Sequence, residues 1–213
     1  MNKLIRPLLL STLLAASAGA AQAANIHVSF AADAEGFSST AGGLLAHDAA
    51  GYLTQTDIDG SDMAVIAPTA LLGDWSGFVG GTLSFDSINL SGVASNYDAF
   101  GTITLTGTAG TLALDVVAAG APTAGWTNYS TVLNSATWGP SIAAVLGHVT
   151  GVSIVLESHN GFGANDSEVN GFDNFRVTAA AVPEPESLAL VLSGLAVVGA
   201  GWARRRAQAL KTA

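Results

Sequence analysis

The sequence predicts an all-β domain, an antiparallel β-sandwich or jelly roll, flanked by two terminal segments of different character. Three observations lead to this fold class. Several segments of roughly five residues alternate apolar with polar side chains, which is the period of a strand with one buried face. Glycines such as Gly101, Gly107, Gly110 and Gly151 interrupt these segments at turn-like intervals. The segments are also rich in threonine and valine, which favour strands of antiparallel sandwiches.

Four of the alternating segments are predicted strands with one apolar face in the core. Two short helices are the expected exceptions, over residues 68–72, where a proline suits the first turn, and over residues 141–146. The predicted strands are 82–86, 102–106, 112–116 and 152–156, and the residues expected to be buried are Leu83, Phe85, Ile103, Leu105, Leu112, Leu114, Ile154 and Leu156.

The N-terminal segment has the order of a secretory signal peptide. Lys3 and Arg6 provide a basic start, and residues 8–16 form an apolar stretch. Ala21 and Ala23 then supply the small residues of an A-x-A cleavage site. We expect residues 1–23 to be removed, so that the exported chain begins at Ala24; an uncleaved anchor is the alternative.

The C-terminal segment places a short polar motif before a long apolar stretch. In residues 188–203, a run of 16, Ser193 is the only polar side chain. As a helix this run would be about 24 Å long, close to the roughly 30 Å of a bilayer core. The stretch is therefore predicted to be a single transmembrane helix, since an amphipathic surface helix would need a polar stripe. The motif before it consists of Val182, Pro183, Glu184 and Pro185.

Three arginines, Arg204, Arg205 and Arg206, end the apolar stretch. The positive-inside rule keeps them in the cytoplasm together with residues 207–213. The order of motif, span and arginines over residues 182–206 resembles the PEP-CTERM tail of Gram-negative bacteria. The resemblance implies that an exosortase-type enzyme recognises and cuts this tail after transient anchoring in the inner membrane. The protein would then reach the cell surface or the extracellular space.

The charge of the segment between the two termini excludes one class of partner. From residue 24 to residue 182 the only basic residue is Arg176, against 14 aspartates and glutamates, which gives a formal net charge of −13. Such a surface repels phosphate backbones, so the sequence excludes nucleic-acid binding. The chain has no cysteine, so the stability of this exported domain must come from core burial or a bound ion.

A second resemblance covers residues 42–177, nearly the whole segment. Residues 67–85 read proline, a short apolar turn, leucine-glycine-aspartate and then glycine-glycine before a strand. Trp126, Trp138 and residues 145–150 follow in order, and residues 171–177 end on a glycine-x-aspartate-asparagine strand. This pattern resembles the laminin B (laminin IV type A) module, which places a laminin-B-like domain at residues 24–181. The resemblance implies a galactose-binding-like β-sandwich, an interaction module without a catalytic site.

The laminin-like pattern is incomplete in two places. Residues 154–157 lack the arginine that such modules often carry before the glutamate, and the cysteines of the family are missing. Within the motif, Asp74 is expected to bond its own backbone, and Trp75 and Phe78 are expected to be core residues. Trp126 and Trp138 are each either buried or available for stacking on a sugar ring.

No established catalytic motif is present in the sequence. There is no G-x-S-x-G, and Ser76 lies one place away from the nucleophile position of that motif. The four histidines, at positions 27, 47, 148 and 159, have no metal-binding spacing. Paired carboxylates could hydrolyse glycosides, but with 14 acids available such a pair has no specificity.

Calcium is the one cofactor that the sequence suggests. Two oxygen-rich clusters offer the hard ligands that calcium accepts, although neither has the complete ligand pattern of an EF-hand. A solvated acidic loop is the alternative for each cluster. The first contains Asp57, Asp59 and Asp62, and the second contains Asp166, Glu168 and Asp173.

Three classes of function follow from these observations. The first is a non-enzymatic surface or extracellular-matrix protein whose sandwich contacts exopolysaccharide, as in a biofilm, or other surface proteins. The second is a specific carbohydrate-binding module, and the third is a secreted hydrolase. We expect a protein without enzymatic activity, because the segments that carry specific patterns concern sorting and fold.

Overall fold

Alternating side chains build two antiparallel sheets that pack face to face, as predicted. In the computed structural model, which describes residues 25–117, 119–161, 167–181 and 192–195, residues 25–181 belong to one unit. The six-stranded sheet has the order β3-β4-β11-β6-β9, and β1 also pairs with β11. Its strands are β1 (Ile26–Val28), β3 (Gly43–Asp48), β4 (Tyr52–Asp57), β6 (Thr82–Asn89), β9 (Thr127–Val132) and β11 (Val169–Thr178).

The five-stranded sheet forms the other layer, in the order β2-β5-β10-β7-β8. All neighbouring strands named here pair antiparallel, as expected for a sandwich. Its strands are β2 (Ser38–Ser39), β5 (Ala64–Ile66), β7 (Thr102–Gly107), β8 (Gly110–Asp115) and β10 (Val149–Val155).

The predicted core residues are buried on the central strands and only half-buried at one edge. Leu83, Phe85, Ile103, Leu105, Ile154 and Leu156 are all at most 1% exposed. The burial prediction was wrong for Leu112 and Leu114, which are only partly buried. Both lie on β8, which is the outermost strand of its sheet and has a neighbour on one side only.

Aromatic rings fill the part of the core under β11. The ring of Phe172 lies 5.6 Å from that of Phe85, 5.7 Å from that of Phe30 and 6.0 Å from that of Phe37. The ring of Phe175, three residues further along the same strand, lies 5.5 Å from that of Phe37. These contacts join the core face of β11 to the segment that follows β1.

Short helical segments connect the strands. The helix expected at residues 68–72 is a 3₁₀ turn, Thr69–Leu71, preceded by Pro68. The helix expected at residues 141–146 is present as α2 (Ile142–Leu146), and α1 (Ser135–Trp138) precedes it. A second 3₁₀ turn, Ser76–Phe78, leads to β6 through Gly81, where a side chain would overlap the carbonyl oxygen of Thr178.

Both predicted sorting segments lie largely outside the described residues. The signal peptide with its cleavage site at Ala21, Ala23 and Ala24 is not among them, and neither is the motif Val182, Pro183, Glu184 and Pro185. Of the predicted transmembrane helix, residues 192–195 are described and are helical. The described part of the chain contains no helix with the length and apolar character needed to cross a membrane. Arg204, Arg205 and Arg206 also fall outside it.

Candidate functional site

The outer face of the six-stranded sheet carries an exposed aromatic pair and a row of polar side chains. Leu53, Phe85 and Phe172 point into the core, so the residues that alternate with them point outward. We call this surface the open face and define it by Tyr52 on β4, Gly171, Asp173 and Arg176 on β11, Asp86 on β6, and Asn128 on β9 with Trp126 just before it.

Trp126 lies across the open face and is 44% exposed. Its ring centroid is 5.2 Å from that of Tyr52, with the two planes at 73° in an edge-to-face arrangement. Gly171 provides the space beneath it: a Cβ atom at that position would lie 2.9 Å from Cη2 of Trp126 and 2.6 Å from Cγ2 of Ile88. The indole ring is therefore held in place from below and from the side while the rest of it meets solvent.

A hydrogen-bonded polar network lies beside the aromatic pair. Asp86 accepts through Oδ1 from the Asn128 amide at 2.7 Å and through Oδ2 from the Asn174 amide at 2.9 Å. Arg176 donates to Oδ1 of Asn174 at 3.1 Å. Asn174 has a φ of 51° at an irregularity in the pairing of β11 with β6, which re-aims its side chain toward this network.

The open face is acidic, and the charges perturb one another. Burial raises the pKa of Asp173, and the Asp86 carboxylate opposite it on β6 raises it further, whereas Arg176 acts in the other direction. Burial also raises the pKa of the Tyr52 phenol, together with the neighbouring Asp48 carboxylate. Arg176 is the only lysine or arginine among these groups, so the face carries an excess of negative charge.

A second candidate site, which we call the end pocket, lies among the loops that follow β4, β6 and β10. It has a volume of about 140 Å³ and is lined by Gly60, Asp62, Tyr97, Glu157, His159, Asn160 and Gly161. The Tyr97 hydroxyl donates to Oδ1 of Asp62 at 2.9 Å. The backbone N–H of Asn160 donates to Oδ1 of Asn96 at 2.7 Å, which fixes the loop on one side of the pocket.

Three buried carboxylates lie at and behind the end pocket. Asp57, Glu157 and Glu168 are 2%, 7% and 1% exposed. Glu157 accepts from the Met63 N–H at 3.2 Å, and Glu168 accepts from both the backbone N–H and the hydroxyl of Ser158. One oxygen of Asp57, Oδ2, is buried without a hydrogen-bond partner. Such groups are costly to bury when charged, unless a partner compensates them.

Burial is the main cause of the shifted acidities in this cluster. It raises the pKa of Glu157 to about 8, with the carboxylates of Glu168 and Asp57 adding to the effect and the Met63 N–H opposing it. Burial also raises the pKa of Asp57 and of Glu168; in Glu168 the hydrogen bonds from Ser158 act against it. The cluster therefore favours protonated carboxyl groups in the folded state.

The carboxylates predicted as calcium ligands are distributed over different surroundings. Asp57 accepts a hydrogen bond from the Asp59 N–H at 3.2 Å, and Asp59 accepts one from the Ser61 N–H at 2.7 Å. Both carboxylates therefore stabilise the loop in which they lie. Glu168 is buried against Ser158, Asp173 is on the open face and Asp166 is outside the described residues. Among the residues that are described, no three or more His, Cys, Asp or Glu side chains could hold a metal ion together. Calcium binding stays a prediction.

The three tryptophans among the described residues separate into core and surface. Trp75 and Phe78 are 2% and 4% exposed, which confirms the prediction that they are core residues. Trp138 is also buried, at 6%, so Trp126 is the tryptophan that remains available on the surface of the sandwich. Asp74 accepts from the Ser76 N–H at 2.9 Å, as expected of a residue that bonds its own backbone.

Sequence reasoning missed the polar network of the open face and the buried Glu157, and it assigned Asp57 and Glu168 to two separate acidic clusters although they lie close to Glu157 in the fold. One local signal was available for Glu157, because it directly follows Leu156, the buried residue that ends the predicted strand 152–156. The network has no local signal, since its members come from β6, β9 and β11 and meet only through strand pairing.

Comparison with known proteins identifies the tail and the fold. Residues 181–206 match the PEP-CTERM protein-sorting motif. No curated protein matches the sequence. The L4b domain of human laminin alpha-2 is structurally similar, with a TM-score of 0.53 and 11% identity over 74% of this chain and 98% of that chain.

Two further solved structures are similar over a comparable share of the chain. An exo-beta-agarase has a TM-score of 0.52 and 14% identity over 74% of this chain, which spans only 25% of the agarase chain. A family 29 carbohydrate-binding module has a TM-score of 0.45 and 11% identity over 78% of this chain and 98% of the module. The chain therefore carries the sorting motif of an exported protein that an exosortase targets, attached to a β-sandwich similar in fold to a laminin domain.

Proposed function

We propose that this chain is a non-enzymatic protein of the bacterial surface or extracellular matrix, whose sandwich contacts extracellular polysaccharide through the open face. Trp126 carries the proposal, because among the described residues it is the one large aromatic side chain that is held in place by its neighbours while 44% of it stays exposed. The sorting motif supports the proposal, because export would bring the open face into contact with extracellular polysaccharide.

The geometry around Trp126 suits a sugar ring. The apolar face of a pyranose packs on an aromatic ring, and the contact costs little entropy when the ring is already fixed. Tyr52 and Gly171 fix the indole before any ligand arrives. Asp86 and Asn128 lie alongside and supply the acceptors and donors that sugar hydroxyls need.

The negative charge of the open face indicates which kind of polysaccharide can bind there. Asp48, Asp86 and Asp173 lie on or next to the open face, and Arg176 is already bonded to Asn174. An anionic polymer is repelled by such a surface. We infer that the polysaccharide is neutral along the part that contacts Trp126.

Replacing Trp126 by alanine should weaken binding to a neutral polysaccharide at least about tenfold, or about 1.4 kcal/mol. The loss follows from removal of the stacking surface, whereas Trp126→Phe should keep part of the affinity. Affinity electrophoresis of the purified protein in gels that contain β-glucans, galactans or mannans measures the effect. Val79→Ala is the matched control, because Val79 is 41% exposed but lies outside the open face.

A second variant tests the same surface without removing the ring. Gly171→Ala should displace the indole, since the new methyl group meets Cη2 of Trp126 at 2.9 Å. Affinity that is unchanged in both Trp126→Ala and Gly171→Ala would exclude the open face as the contact surface.

Two other experiments distinguish the alternative functions. Tight binding to a single epitope on a glycan array would favour a specific carbohydrate-binding module, and turnover of a polysaccharide would favour a hydrolase.

The processed protein should begin at Ala24 and end near Pro183–Pro185. The expectation rests on the A-x-A site and on the sorting motif at residues 181–206. Intact mass spectrometry of the protein released from the cell surface measures both ends. A released protein that still contains Arg204, Arg205 and Arg206 would contradict cleavage and indicate a permanent anchor.

A further inference from the structure

We propose that the polysaccharide crosses the strands of the six-stranded sheet over a track that runs from Trp126 to Ala46, so that several consecutive sugars of a linear, neutral chain are bound at once. The inference rests on the contact proposed for the open face and adds the direction, the length and the class of the chain. Such a site distinguishes a linear chain from a single terminal sugar.

The track is a row of outward-facing residues that strand pairing places side by side. Thr54 on β4 faces Ala46 on one side and Gly171 on the other, and Gly171 faces Ile88 on β6. Continuing the pairing of β6 with β9 by one residue places Trp126 beside Ile88. Residues directly opposite each other share one face of the sheet. We call the row Ala46, Thr54, Gly171, Ile88 and Trp126 the cross-strand track.

The indole ring of Trp126 is aligned with this direction. Although Trp126 precedes β9, its Cη2 reaches the space above Gly171 on β11, two strands away. The ring centroid is 5.2 Å from that of Tyr52 on β4, which is one strand further. The long axis of the ring therefore crosses the strands, and a sugar chain that follows this axis continues over Thr54 and Ala46.

The far half of the track is low and uncharged. Thr54 is half-buried, and the side chain of Ala46 is a single methyl group. Along the strands, by contrast, the track is bordered by Asp86 on β6 and Asp173 on β11. An apolar sugar face laid over those carboxylates would remove their water, which is costly. A chain stacked on Trp126 therefore meets less resistance across the strands than toward these two aspartates.

The two sides of the track differ in polarity. On one side Asp173 faces Asp86, and Asp86 faces Asn128. On the other side lie Leu44 and Leu90, which are 59% and 41% exposed. Sugar hydroxyls can donate to the carboxylates on the first side, whereas the leucines offer no hydrogen bond. Hydrogen bonds are thus offered to one edge of the chain, which favours a single orientation on the track.

The length of the track determines the size of the ligand. It passes over five strands whose neighbours are about 4.8 Å apart, so its ends are about 19 Å from each other. A single sugar covers only the part at Trp126, whereas a longer oligosaccharide also covers Thr54 and Ala46. Affinity should therefore rise with chain length until the track is filled.

Titration calorimetry of the purified protein tests the proposal with linear β-linked oligosaccharides of glucose, galactose and mannose, from the monosaccharide to the hexasaccharide. In a series that binds, the hexasaccharide should bind at least about tenfold more tightly than the disaccharide. Equal affinities of the two would overturn the track and leave the contact at Trp126 in place. Absence of binding to every series would contradict both the contact and the track.

Two variants that add the same carboxylate determine the direction of the chain. Ala46 and Ser130 are both exposed, but Ala46 ends the track, whereas Ser130 lies further along β9 from Trp126. Ala46→Glu should weaken hexasaccharide binding about tenfold and leave disaccharide binding unchanged, because only the longer ligand must cover the new carboxylate. Ser130→Glu should change neither. The opposite pattern would show a chain that runs along β9 and would overturn the crossing direction.

Trp126→Ala separates this inference from the proposed function in the same experiment. It should weaken binding of the disaccharide and of the hexasaccharide, because both cover the indole. Unchanged binding of both ligands in Trp126→Ala would contradict the contact at the open face itself. A loss in Trp126→Ala with none in Ala46→Glu would keep that contact and overturn the track. Thermal melts establish that each variant is folded.

Discussion

Raising the pH from about 5 to about 9 should lower the free energy of unfolding of the domain by about 2–4 kcal/mol, a range that allows for solvent screening at this partly open site. Glu157 has a pKa of about 8 in the fold, against an ordinary value of 4.5. Between these two values the folded state holds a proton that the unfolded chain has lost, so stability falls as the pH rises through the window. Asp57 and Glu168 are shifted in the same direction. Urea unfolding at a series of pH values measures the slope.

Glu157→Gln should remove most of this slope and leave the domain more stable than the parent above about pH 8. Glutamine keeps the shape of the protonated carboxyl and still offers an oxygen to the Met63 N–H, but it cannot ionise. Glu35→Gln is the control, because Glu35 is exposed. A Glu157→Gln protein with the same pH slope as the parent would show that this carboxyl is not the source.

Phe172→Ala should cost about 3–5 kcal/mol of stability, a large fraction of the roughly 5–15 kcal/mol that keeps a domain folded. The ring is fully buried and contacts three other aromatic rings, so its removal leaves a cavity that the rigid strand β11 cannot fill. Denaturant unfolding at constant pH gives the difference.

Leu112→Ala is the matched comparison for the core variant. Leu112 is only partly buried on the edge strand β8, so the same kind of truncation should cost below about 2 kcal/mol. Equal losses for Phe172→Ala and Leu112→Ala would mean that the core does not centre on β11.

The fold class could be predicted because the alternation on the long central strands is regular. Predicted strands 82–86 and 102–106 correspond to Thr82–Asn89 and Thr102–Gly107 in the structure. The shortest strands could not be found in this way, since Ser38–Ser39 and Ala64–Ile66 are too short to show a period. In β11 the irregularity between Asp173 and Arg176 interrupts the alternation. That strand was recognisable only by its resemblance to the laminin pattern.

The candidate sites were predictable only in part. A residue such as Trp126 is visible in the sequence, but its surroundings include Tyr52 and Gly171. Three strand pairings separate the strand of Tyr52 from β9, and two separate the strand of Gly171 from it. Similarly, Glu157 meets the other buried acids because loops from three strand ends converge. Contacts between residues that are distant in sequence cannot be predicted from the spacing of neighbouring residues. The sorting motif could be recognised directly, because its residues are contiguous.

The position of β11 also has a consequence for the order in which the exported chain can fold. This strand is the last of the domain in sequence, yet it pairs with β1, β4 and β6 in the middle of its sheet. Until residues 169–178 have emerged from the translocation channel, β4 and β6 lack a shared neighbour and expose edges that invite pairing with other chains. Only a few residues separate β11 from the sorting motif at 181–206. Delivery of the tail to the membrane and closure of the sheet are therefore nearly simultaneous events in secretion.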